Sequence, residues 1–550
     1  MLNRLTIAFV LVVLGLTRAS ASAAAAPRPR LGVLVVFDQL RSIDVDRLEP
    51  LFGPGGFGGL GALGAARFDV RYPCAATETG PGHATLATGA SPAVHGVTVN
   101  TWFDGATPRY VVDDPTAPVL MATDGRGRSA IALRAGTLGD AMRSELGAKA
   151  RVVTISVKDR AAILTGGRAA DLAIWYEPSL GRFTTSKAYR QELPAWLADL
   201  GQALPAAAMA TGTWSPLPLP KRPAGLADLL PADDLPGESG AYIGLGPTFP
   251  HDLRAVAADL RAKAYRAVPQ SLDDLVTLAL RAVDEEHLGQ DLIPDLLVVS
   301  FSATDMIGHL YGPTSLEHAE ILRRADLALR ALVKGLSHRL GRDGFALAVS
   351  SDHGSTPVPE QLAHAGLPGG RTTYAAVTTA ASDALAKALG DAAAQKRVLG
   401  FSPPHLYLAL DDLAPAQAAD ARRAVKRAVA AVAGVGGVLD LDDRADDADP
   451  YRPLYATCRV AGRSGTLLVR QEARIVFTED APTGTDHGSP YLYDRRVPLW
   501  LVGAGVRPGR YSPDGDARDV APTLAFMLGV SPPDAAEGTI LPAVGERGAR

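Results

Sequence analysis

Short runs of consecutive apolar residues recur along the chain, each followed by a polar or glycine-containing stretch. The clearest runs are rich in β-branched residues and show no polar alternation. This pattern is typical of strands that are covered on both faces, as in a parallel sheet flanked by helices. We therefore predict buried strands at residues 31–37, 152–157, 296–301, 345–349 and 499–502.

Helical patterns lie between these runs, as at residues 315–336, where charged residues are spaced among Leu and Ala. Alternation of strands and helices predicts an α/β fold with a doubly wound, mainly parallel central sheet flanked by helices. We expect one catalytic domain over residues 26–550.

Two segments of this domain resemble insertions that form a cap or side lobe. Residues 168–289 are rich in Pro, Trp and Tyr and lack a clear strand–helix rhythm. Residues 367–470 contain an Ala-rich, helix-like stretch at 414–433 and the strand-like HLYLAL at 405–410.

The start of the chain has the pattern of a secretory signal peptide. Arg4 precedes an apolar run at residues 5–16, and small residues suited to cleavage follow it. We expect residues 1–25 to be removed and the mature protein to be periplasmic or secreted, without stable membrane insertion. An uncleaved anchor is the alternative interpretation of the same segment.

Composition limits the partners of the chain. It has 550 residues, of which 47% are hydrophobic, so it can bury a large core. A net charge of −4 supplies no global basic field, and we expect no nucleic-acid binding. Cys74 and Cys458 are far apart in sequence, and we interpret both as buried free thiols, although export would permit a disulfide.

Chemically active residues follow the predicted strands. In an open α/β sheet, ligands bind beyond the carboxyl ends of the strands. Three carboxylates gathered there would repel one another, and a divalent metal would relieve that repulsion. A mixed set of Asp and His suits zinc better than calcium or magnesium. The candidate metal ligands are Asp38, Asp305, His309, Asp352, His353 and His487.

The local spacing agrees with metal binding. Asp305 and His309 are four residues apart, so on a helix they share a face. Asp352 and His353 are adjacent, and they can converge on one ion only in a loop beyond the strand, where Gly354 permits a turn.

The stretch ATETGPGHATLATG at residues 76–89 combines several hydroxyls with little bulk. Pro81 fits the first turn of a helix, which would place Thr79 at or near its start. A threonine hydroxyl coordinated by zinc can be ionised and attack phosphorus. The alternative interpretation is that Thr79 serves only as a helix cap. By chemistry alone, Thr77 and Thr85 are competing nucleophiles.

Lys158 and Arg160 follow the second predicted strand. Side chains two residues apart on a strand share a face, so the pair could converge on one ligand. A phosphate monoester dianion carries more charge on its non-bridging oxygens than a diester, and a lysine with an arginine favours it. A solvated surface pair is the alternative interpretation.

Together these residues resemble the alkaline phosphatase superfamily, and most closely its periplasmic branch of Flavobacterium- and Sphingomonas-type monoesterases with a threonine nucleophile. The resemblance extends from residue 31 to about residue 533. It rests on Asp38 and on the motifs TETGPGHATLATG, VKDR, SATDMIGH, SSDHG, DHGSPYLYD and DVAPTLAFMLGVSPP.

The resemblance implies an exported alkaline phosphatase, a monomer with two Zn²⁺, that hydrolyses small phosphate monoesters through a phospho-threonine intermediate at Thr79. It implies that Asn100 donates to a phosphoryl oxygen and that Lys158 and Arg160 bind the other non-bridging oxygens. One zinc would be held by Asp305, His309 and His487, and the other by Asp38, Thr79, Asp352 and His353.

Other functions fit part of the pattern. A phosphodiesterase or nucleotide pyrophosphatase on the same scaffold would share the metal ligands and the threonine but lack the Lys-x-Arg pair. A protein that binds metal and phosphate without catalysis would share all of them. The absence of a Cys/Ser-x-Pro-x-Arg segment around Thr79 argues against a sulfatase, and the export signal argues against a cofactor-independent phosphoglycerate mutase.

Overall fold

The computed structural model describes residues 28–221, 225–446, 448–479, 483–511 and 515–545. The predicted signal peptide at 1–25 lies outside the described residues. The main feature of the fold is a ten-stranded sheet. In spatial order the strands are Gly509–Arg510, Ala66–Arg71, Arg496–Val502, Phe345–Ser350, Leu31–Phe37, Asp295–Phe301, Val152–Ser156, Leu172–Glu177 and Arg182–Thr184, and Gly515–Asp516 also pairs with Ala66–Arg71.

All five predicted strands are present. Strand Leu31–Phe37 is fully buried and pairs in parallel with Asp295–Phe301 on one side and Phe345–Ser350 on the other. Strand Arg496–Val502 is antiparallel to both of its neighbours. Its first residue therefore lies at the edge where the parallel strands end. The segment that precedes this strand, which includes His487, approaches the sheet at that same edge.

Helices cover both faces of the sheet, which confirms the doubly wound α/β class. Val33 and Val35 of the central strand belong to one hydrophobic cluster, and Leu34 and Val36 belong to another. Helices Ser42–Leu48, Ala195–Thr211, Gln270–Glu285 and Leu316–Leu340 pack in the first cluster, and Thr79–Thr88, Leu138–Leu146, Asp159–Gly166 and Val520–Leu528 pack in the second.

The first predicted insertion, residues 168–289, is closely joined to the sheet. Strands Leu172–Glu177 and Arg182–Thr184 fall inside it and extend the sheet at one edge. The strand Thr213–Trp214 pairs with His251–Asp252, and the short helix Arg261–Tyr265 follows.

The second predicted insertion, residues 367–470, forms a side lobe with its own hydrophobic cluster. The predicted helix-like stretch is the helix Pro415–Ala430, which packs beside helix Tyr374–Leu389. Their sheet contains, in spatial order, Val398–Ser402, His405–Leu408, Leu467–Gln471 and Val435–Leu439.

Short elements complete the fold. The two-stranded pairs are Thr101–Asp104 with Thr107–Tyr110, Asp113–Pro118 with Gly127–Arg128, and Gly370–Thr373 with Ile475–Thr478. The remaining α-helices are Pro92–His95, Ala303–Tyr311, Pro359–His364, Arg452–Ala456 and Leu492–Arg495. Within the described ranges, no helix combines the length and the apolar character that crossing a membrane requires.

Cys74 and Cys458 are buried free thiols, as predicted. The fold brings them together nevertheless. Both thiols contact the backbone of Ala76: the Cys74 Sγ donates to its carbonyl oxygen at 3.6 Å, and its N–H lies 3.4 Å from the Cys458 sulfur. Nothing in the sequence indicated this contact.

Candidate two-metal active site

The predicted metal ligands meet at one edge of the sheet. Asp38 directly follows strand Leu31–Phe37, and Asp352 lies just beyond strand Phe345–Ser350. Helix Ala303–Tyr311 follows strand Asp295–Phe301 and carries Asp305 and His309. His487 precedes strand Arg496–Val502, whose antiparallel direction places its beginning at this same edge.

Two groups of ligands form at this edge, and in each group the potential ligand atoms lie within 4.8 Å of one another. In the first group, His309 Nε2 is 3.3 Å and His487 Nε2 is 3.9 Å from Asp305 Oδ1. The i, i+4 spacing of Asp305 and His309 on one helix produces the shorter of these contacts.

The second group consists of Asp38, Asp352 and His353. His353 Nε2 is 3.5 Å from Asp38 Oδ1 and 3.4 Å from Asp352 Oδ2. Both Asp352 and His353 lie in the loop beyond their strand, as the sequence predicted. Gly354 is required there for a different reason than expected, because a Cβ at this position would lie 2.1 Å from the Tyr493 carbonyl oxygen.

The two groups are neighbours. The imidazole rings of His353 and His487, one from each group, have centroids 3.9 Å apart. Lys158 Nζ lies 2.5 Å from Asp305 Oδ2 and 2.7 Å from Asp38 Oδ2, and so contacts a carboxylate of each group.

The three histidines are oriented as metal ligands. The Nδ1 atoms of His309, His353 and His487 lie 2.8, 2.9 and 2.7 Å from backbone carbonyl oxygens, respectively. A carbonyl oxygen can only accept, so each Nδ1 carries a proton and each Nε2 presents its lone pair to the ligand group.

Unsatisfied polar atoms also indicate that a cation belongs here. Asp38 Oδ1 and His353 Nε2 are buried without a hydrogen-bond partner among the described residues. Burial, together with the charges of Asp305 and Asp352, raises the pKa of Asp38 well above its usual value. A divalent cation would supply the missing partner and the missing positive charge, so the donor set fits a metal.

Thr79 is the first residue of helix Thr79–Thr88 and lies beside both groups. Its hydroxyl oxygen is 3.2 Å from Lys158 Nζ and 3.3 Å from Arg160 Nη2. The competing threonines are engaged elsewhere: Thr77 Oγ1 donates to the Ser489 carbonyl, and Thr85 Oγ1 contacts His95 Nε2. Of these three hydroxyls, that of Thr79 faces the cations.

The local structure around Lys158 and Arg160 differs from the prediction. They are not on a strand, because strand Val152–Ser156 ends before them; Lys158 caps helix Asp159–Gly166, and Arg160 lies in its first turn. They still converge on Thr79, since both side chains extend across the strand ends. The predicted convergence is present, but the predicted cause was wrong.

Asn100 is oriented by two backbone contacts. Its Oδ1 accepts a hydrogen bond of 2.8 Å from the Gly80 N–H, and its own N–H donates to Glu78 Oε2 at 2.7 Å. With Oδ1 occupied, Nδ2 is the side-chain atom left to donate to a ligand. This matches the donor role that the resemblance implied.

Several neighbouring residues were not selected from the sequence as part of the site. Gln39 Nε2 donates to Asp305 Oδ1, and His83 Nδ1 lies 2.9 Å from the Thr79 carbonyl and 3.1 Å from Asp352 Oδ2. Arg160 Nη1 donates to the Tyr110 hydroxyl. Gln39 could have been selected from the sequence because it directly follows Asp38. Tyr110 could not, because it lies in a hairpin that carries no sequence motif.

Comparisons with known proteins agree with this geometry. A family model described as type I phosphodiesterase/nucleotide pyrophosphatase matches residues 33–489. The chain is 29% identical to alkaline phosphatase PhoV of Synechococcus elongatus over 526 residues, covering 93% of this chain and 92% of that protein. It is 28% identical to alkaline phosphatase PafA of Elizabethkingia meningoseptica over 542 residues, covering 96% of each.

The crystal structure of wild-type PafA superposes with a TM-score of 0.86 at 26% identity, covering 95% of this chain and 100% of that one. Murine ectonucleotide pyrophosphatase/phosphodiesterase 5, at 14% identity and a TM-score of 0.51, shares the fold. These matches confirm the alkaline phosphatase-like α/β fold. Because the family model covers most of the chain, the protein belongs to the type I phosphodiesterase/nucleotide pyrophosphatase family, within the alkaline phosphatase superfamily.

Proposed function

We propose that this protein is an exported alkaline phosphatase that hydrolyses phosphate monoesters through a phospho-threonine intermediate at Thr79. The observation that carries the proposal is the convergence of Lys158 and Arg160, both within 3.3 Å of the Thr79 hydroxyl, beside two groups of Asp and His ligands. The named alkaline phosphatases that match nearly the whole chain support it.

The site is proposed to hold two Zn²⁺. Asp305, His309 and His487 would hold one, and Asp38, Asp352, His353 and the Thr79 oxygen the other. When bound, the ions would lower the pKa of the Thr79 hydroxyl and stabilise negative charge on the phosphoryl and leaving-group oxygens. The mixture of imidazole and carboxylate donors favours zinc over magnesium or calcium.

The protein's own residues account for the bonds that change. Thr79 Oγ forms a bond to phosphorus while the bond to the ester oxygen breaks, and the leaving oxygen acquires a proton to become the alcohol. Water then attacks the phospho-threonine, releasing phosphate and restoring the Thr79 hydroxyl. Lys158, Arg160 and Asn100 Nδ2 are placed to donate to the non-bridging oxygens during both steps.

A phosphodiesterase or nucleotide pyrophosphatase is the second candidate, because the matching family model carries that description. A diester has one fewer negative charge on its non-bridging oxygens than a monoester dianion. A buried Lys158 and a half-buried Arg160 aimed at the transferring group would therefore stabilise a monoester more strongly.

The decisive experiment replaces the nucleophile. We expect Thr79→Ala to lower kcat/KM for p-nitrophenyl phosphate by at least about 10³, the scale typical of losing a catalytic nucleophile. Thr79→Ser keeps a hydroxyl and is the matched control, in which measurable activity and a covalent phosphoryl adduct on residue 79 should persist. Near-normal activity of Thr79→Ala would contradict the proposal.

Metal removal separates catalysis from mere binding. Chelation should abolish hydrolysis, and two equivalents of zinc per chain should restore it. Stoichiometric zinc binding without turnover would instead support a metal-dependent phosphate-binding protein. The exported location rests on the predicted signal peptide, and the expected monomer is checked by solution mass measurement of the mature chain.

A further inference from the structure

A cavity of about 380 Å³ adjoins the Lys158 and Arg160 side chains. Its walls come from the ends of strands Val152–Ser156 and Leu172–Glu177, from the Gly127–Arg128 hairpin, and from Arg266, which directly follows helix Arg261–Tyr265. It therefore opens at the same carboxyl edge of the sheet as the candidate active site. Arg266 belongs to the first inserted segment, which the family motifs do not include.

Most of the cations that line this cavity already have an anionic partner. Arg126 Nη1 lies 2.8 Å from Glu177 Oε1, and Arg128 Nε lies 2.9 Å from Asp159 Oδ2. These pairs neutralise the acidic residues of the cavity wall, so no carboxylate there is left for a further cation.

Arg266 differs from these cations. Its guanidinium forms no hydrogen bond or ion pair with any described residue, and its Nε is buried without a partner. Arg266 and Arg160 both line this cavity. Burial and the neighbouring Arg160 guanidinium lower the pKa of Arg266, and Asp159 opposes this shift. Leaving a partly buried guanidinium unpaired beside a like charge is costly unless an anion is bound.

The protein holds Arg266 in this costly position. The preceding residue, Tyr265, is fully buried, packs against Tyr176 with ring centroids 4.6 Å apart, and donates a hydrogen bond of 2.8 Å to Asp274. Tyr176 is the penultimate residue of the strand Leu172–Glu177, and it also lines the cavity. The backbone next to Arg266 is thus anchored to the sheet through Tyr265.

We propose that this cavity is a subsite for a second phosphate group of the substrate, bound by Arg266 while Lys158 and Arg160 bind the phosphate that Thr79 attacks. The inference rests on the proposed function and adds a substrate class: compact esters that carry two phosphates. Arg160 connects the two positions, because its Nη2 reaches the Thr79 hydroxyl and its side chain also lines the cavity that Arg266 lines. A guanidinium can donate to two phosphate oxygens at once, which suits this role.

The test compares two substrates that differ only in the second phosphate, 1,3-propanediol monophosphate and 1,3-propanediol bisphosphate. The readout is the ratio of their kcat/KM values. In the wild type we expect this ratio to exceed about tenfold, more than the factor of two that arises from having two equivalent phosphates, because charge-assisted hydrogen bonds commonly contribute that much.

Arg266→Ala should lower the ratio to near two, and Arg266→Lys should restore part of it because one positive charge remains. Lys263→Ala is the matched control, since Lys263 lies on the adjacent helix, is exposed and contacts the Tyr242 ring. It should leave both kcat/KM values unchanged. Circular dichroism and zinc content confirm that each variant is folded.

The outcomes separate this inference from the proposed function. If the wild type hydrolyses the monophosphate and the ratio stays near two, or if Arg266→Ala does not change the ratio, the subsite does not exist but the phosphatase does. If the wild type hydrolyses neither ester, the proposed function itself fails. If Arg266→Ala does not fold, the same comparison is made between the kcat/KM ratio of Arg266→Gln and that of the wild type, and an unchanged ratio again means that the subsite does not exist.

Discussion

At the scale of single residues, the site is governed by an excess of buried negative charge. Asp38, Asp305 and Asp352 are at most 1% exposed, and the Lys158 ammonium contacts two of them as well as the Thr79 hydroxyl. Burial opposes ionisation of Asp305, but Lys158 and His309 keep its pKa well below the usual value. Lys158 therefore places positive charge beside the carboxylates of both ligand groups and also beside the position that a phosphoryl group would occupy.

Replacing Lys158 tests its role towards substrate. We expect Lys158→Ala to lower kcat/KM for p-nitrophenyl phosphate by about 10² to 10³, the usual effect of removing one donor to a transition-state oxyanion. The effect on bis-p-nitrophenyl phosphate should be smaller, because a diester offers less charge to an ammonium group. Steady-state kinetics on both esters at saturating zinc give the comparison.

Arg109→Ala is the control for that experiment, because Arg109 is exposed and forms an ion pair with Asp104, which is exposed too. Equal losses for monoester and diester in Lys158→Ala would mean that Lys158 supports the metal site rather than selecting monoesters. The phosphodiesterase alternative would then gain support.

At the scale of secondary-structure elements, the approach of helix Thr79–Thr88 to the loop after strand Phe345–Ser350 decides the site. Every residue of this helix is buried. A Cβ on Gly82 would lie 2.3 Å from the Asp352 carbonyl oxygen and 2.8 Å from the Asp352 Cβ. Glycine at position 82 therefore allows the Thr79 helix to pack directly against the candidate metal ligand Asp352, where there is no space for a methyl group.

Gly82→Ala should push Asp352 out of place and weaken the second ligand group. We expect zinc affinity to fall at least tenfold, with a loss of roughly 1–3 kcal/mol in the free energy of unfolding, as is usual for overpacking. Zinc titration and denaturant unfolding measure the two effects.

Gly61→Ala is the matched glycine control, because Gly61 is exposed and a Cβ there would meet no atom within 4 Å. Its free energy of unfolding should change by no more than about 0.5 kcal/mol. Unchanged zinc affinity in Gly82→Ala would show that the loop carrying Asp352 can shift without consequence, contrary to the packing argument.

At the scale of the whole molecule, buried acids outside the ligand groups make stability depend on pH. Asp494 is fully buried, and burial raises its pKa to about 8 despite hydrogen bonds from Ser489, with the nearby Asp486 adding to the shift. The folded state therefore keeps a proton on Asp494 between about pH 4 and pH 8, where the unfolded state has lost it. Stability from this group falls as pH rises through that window.

Asp494→Asn should remove this dependence, because the amide oxygen can still accept from the Ser489 N–H and no proton is lost. Relative to the wild type, we expect the variant to gain about 2–4 kcal/mol in free energy of unfolding between pH 5 and pH 8.5. Denaturant unfolding of the zinc-saturated proteins at both pH values measures the difference. A wild-type-minus-variant difference that is the same at both values contradicts the assignment.

Sequence reasoning reached much of the fold because its signals are local. Apolar runs identified strand Leu31–Phe37 and its parallel neighbours, and periodicity identified most of helix Leu316–Leu340. It misplaced Lys158 and Arg160 on a strand, since a strand end and a helix start look alike over a few residues. It left Leu172–Glu177 inside a predicted insertion, although this strand extends the central sheet.

What the sequence by itself determined is the chemistry available: which strands are buried, which side chains follow them, and which residue types can hold a metal or attack phosphorus. Only the tertiary structure decided which of these meet. Strand direction brought His487 to the other candidate ligands, and packing between a helix and a distant loop placed Gly82 against Asp352. The inserted segment brought Arg266 to the cavity that Arg160 also lines. The reason is that local pattern reports burial and periodicity, whereas a site depends on distances between segments hundreds of residues apart, which only the folded packing sets.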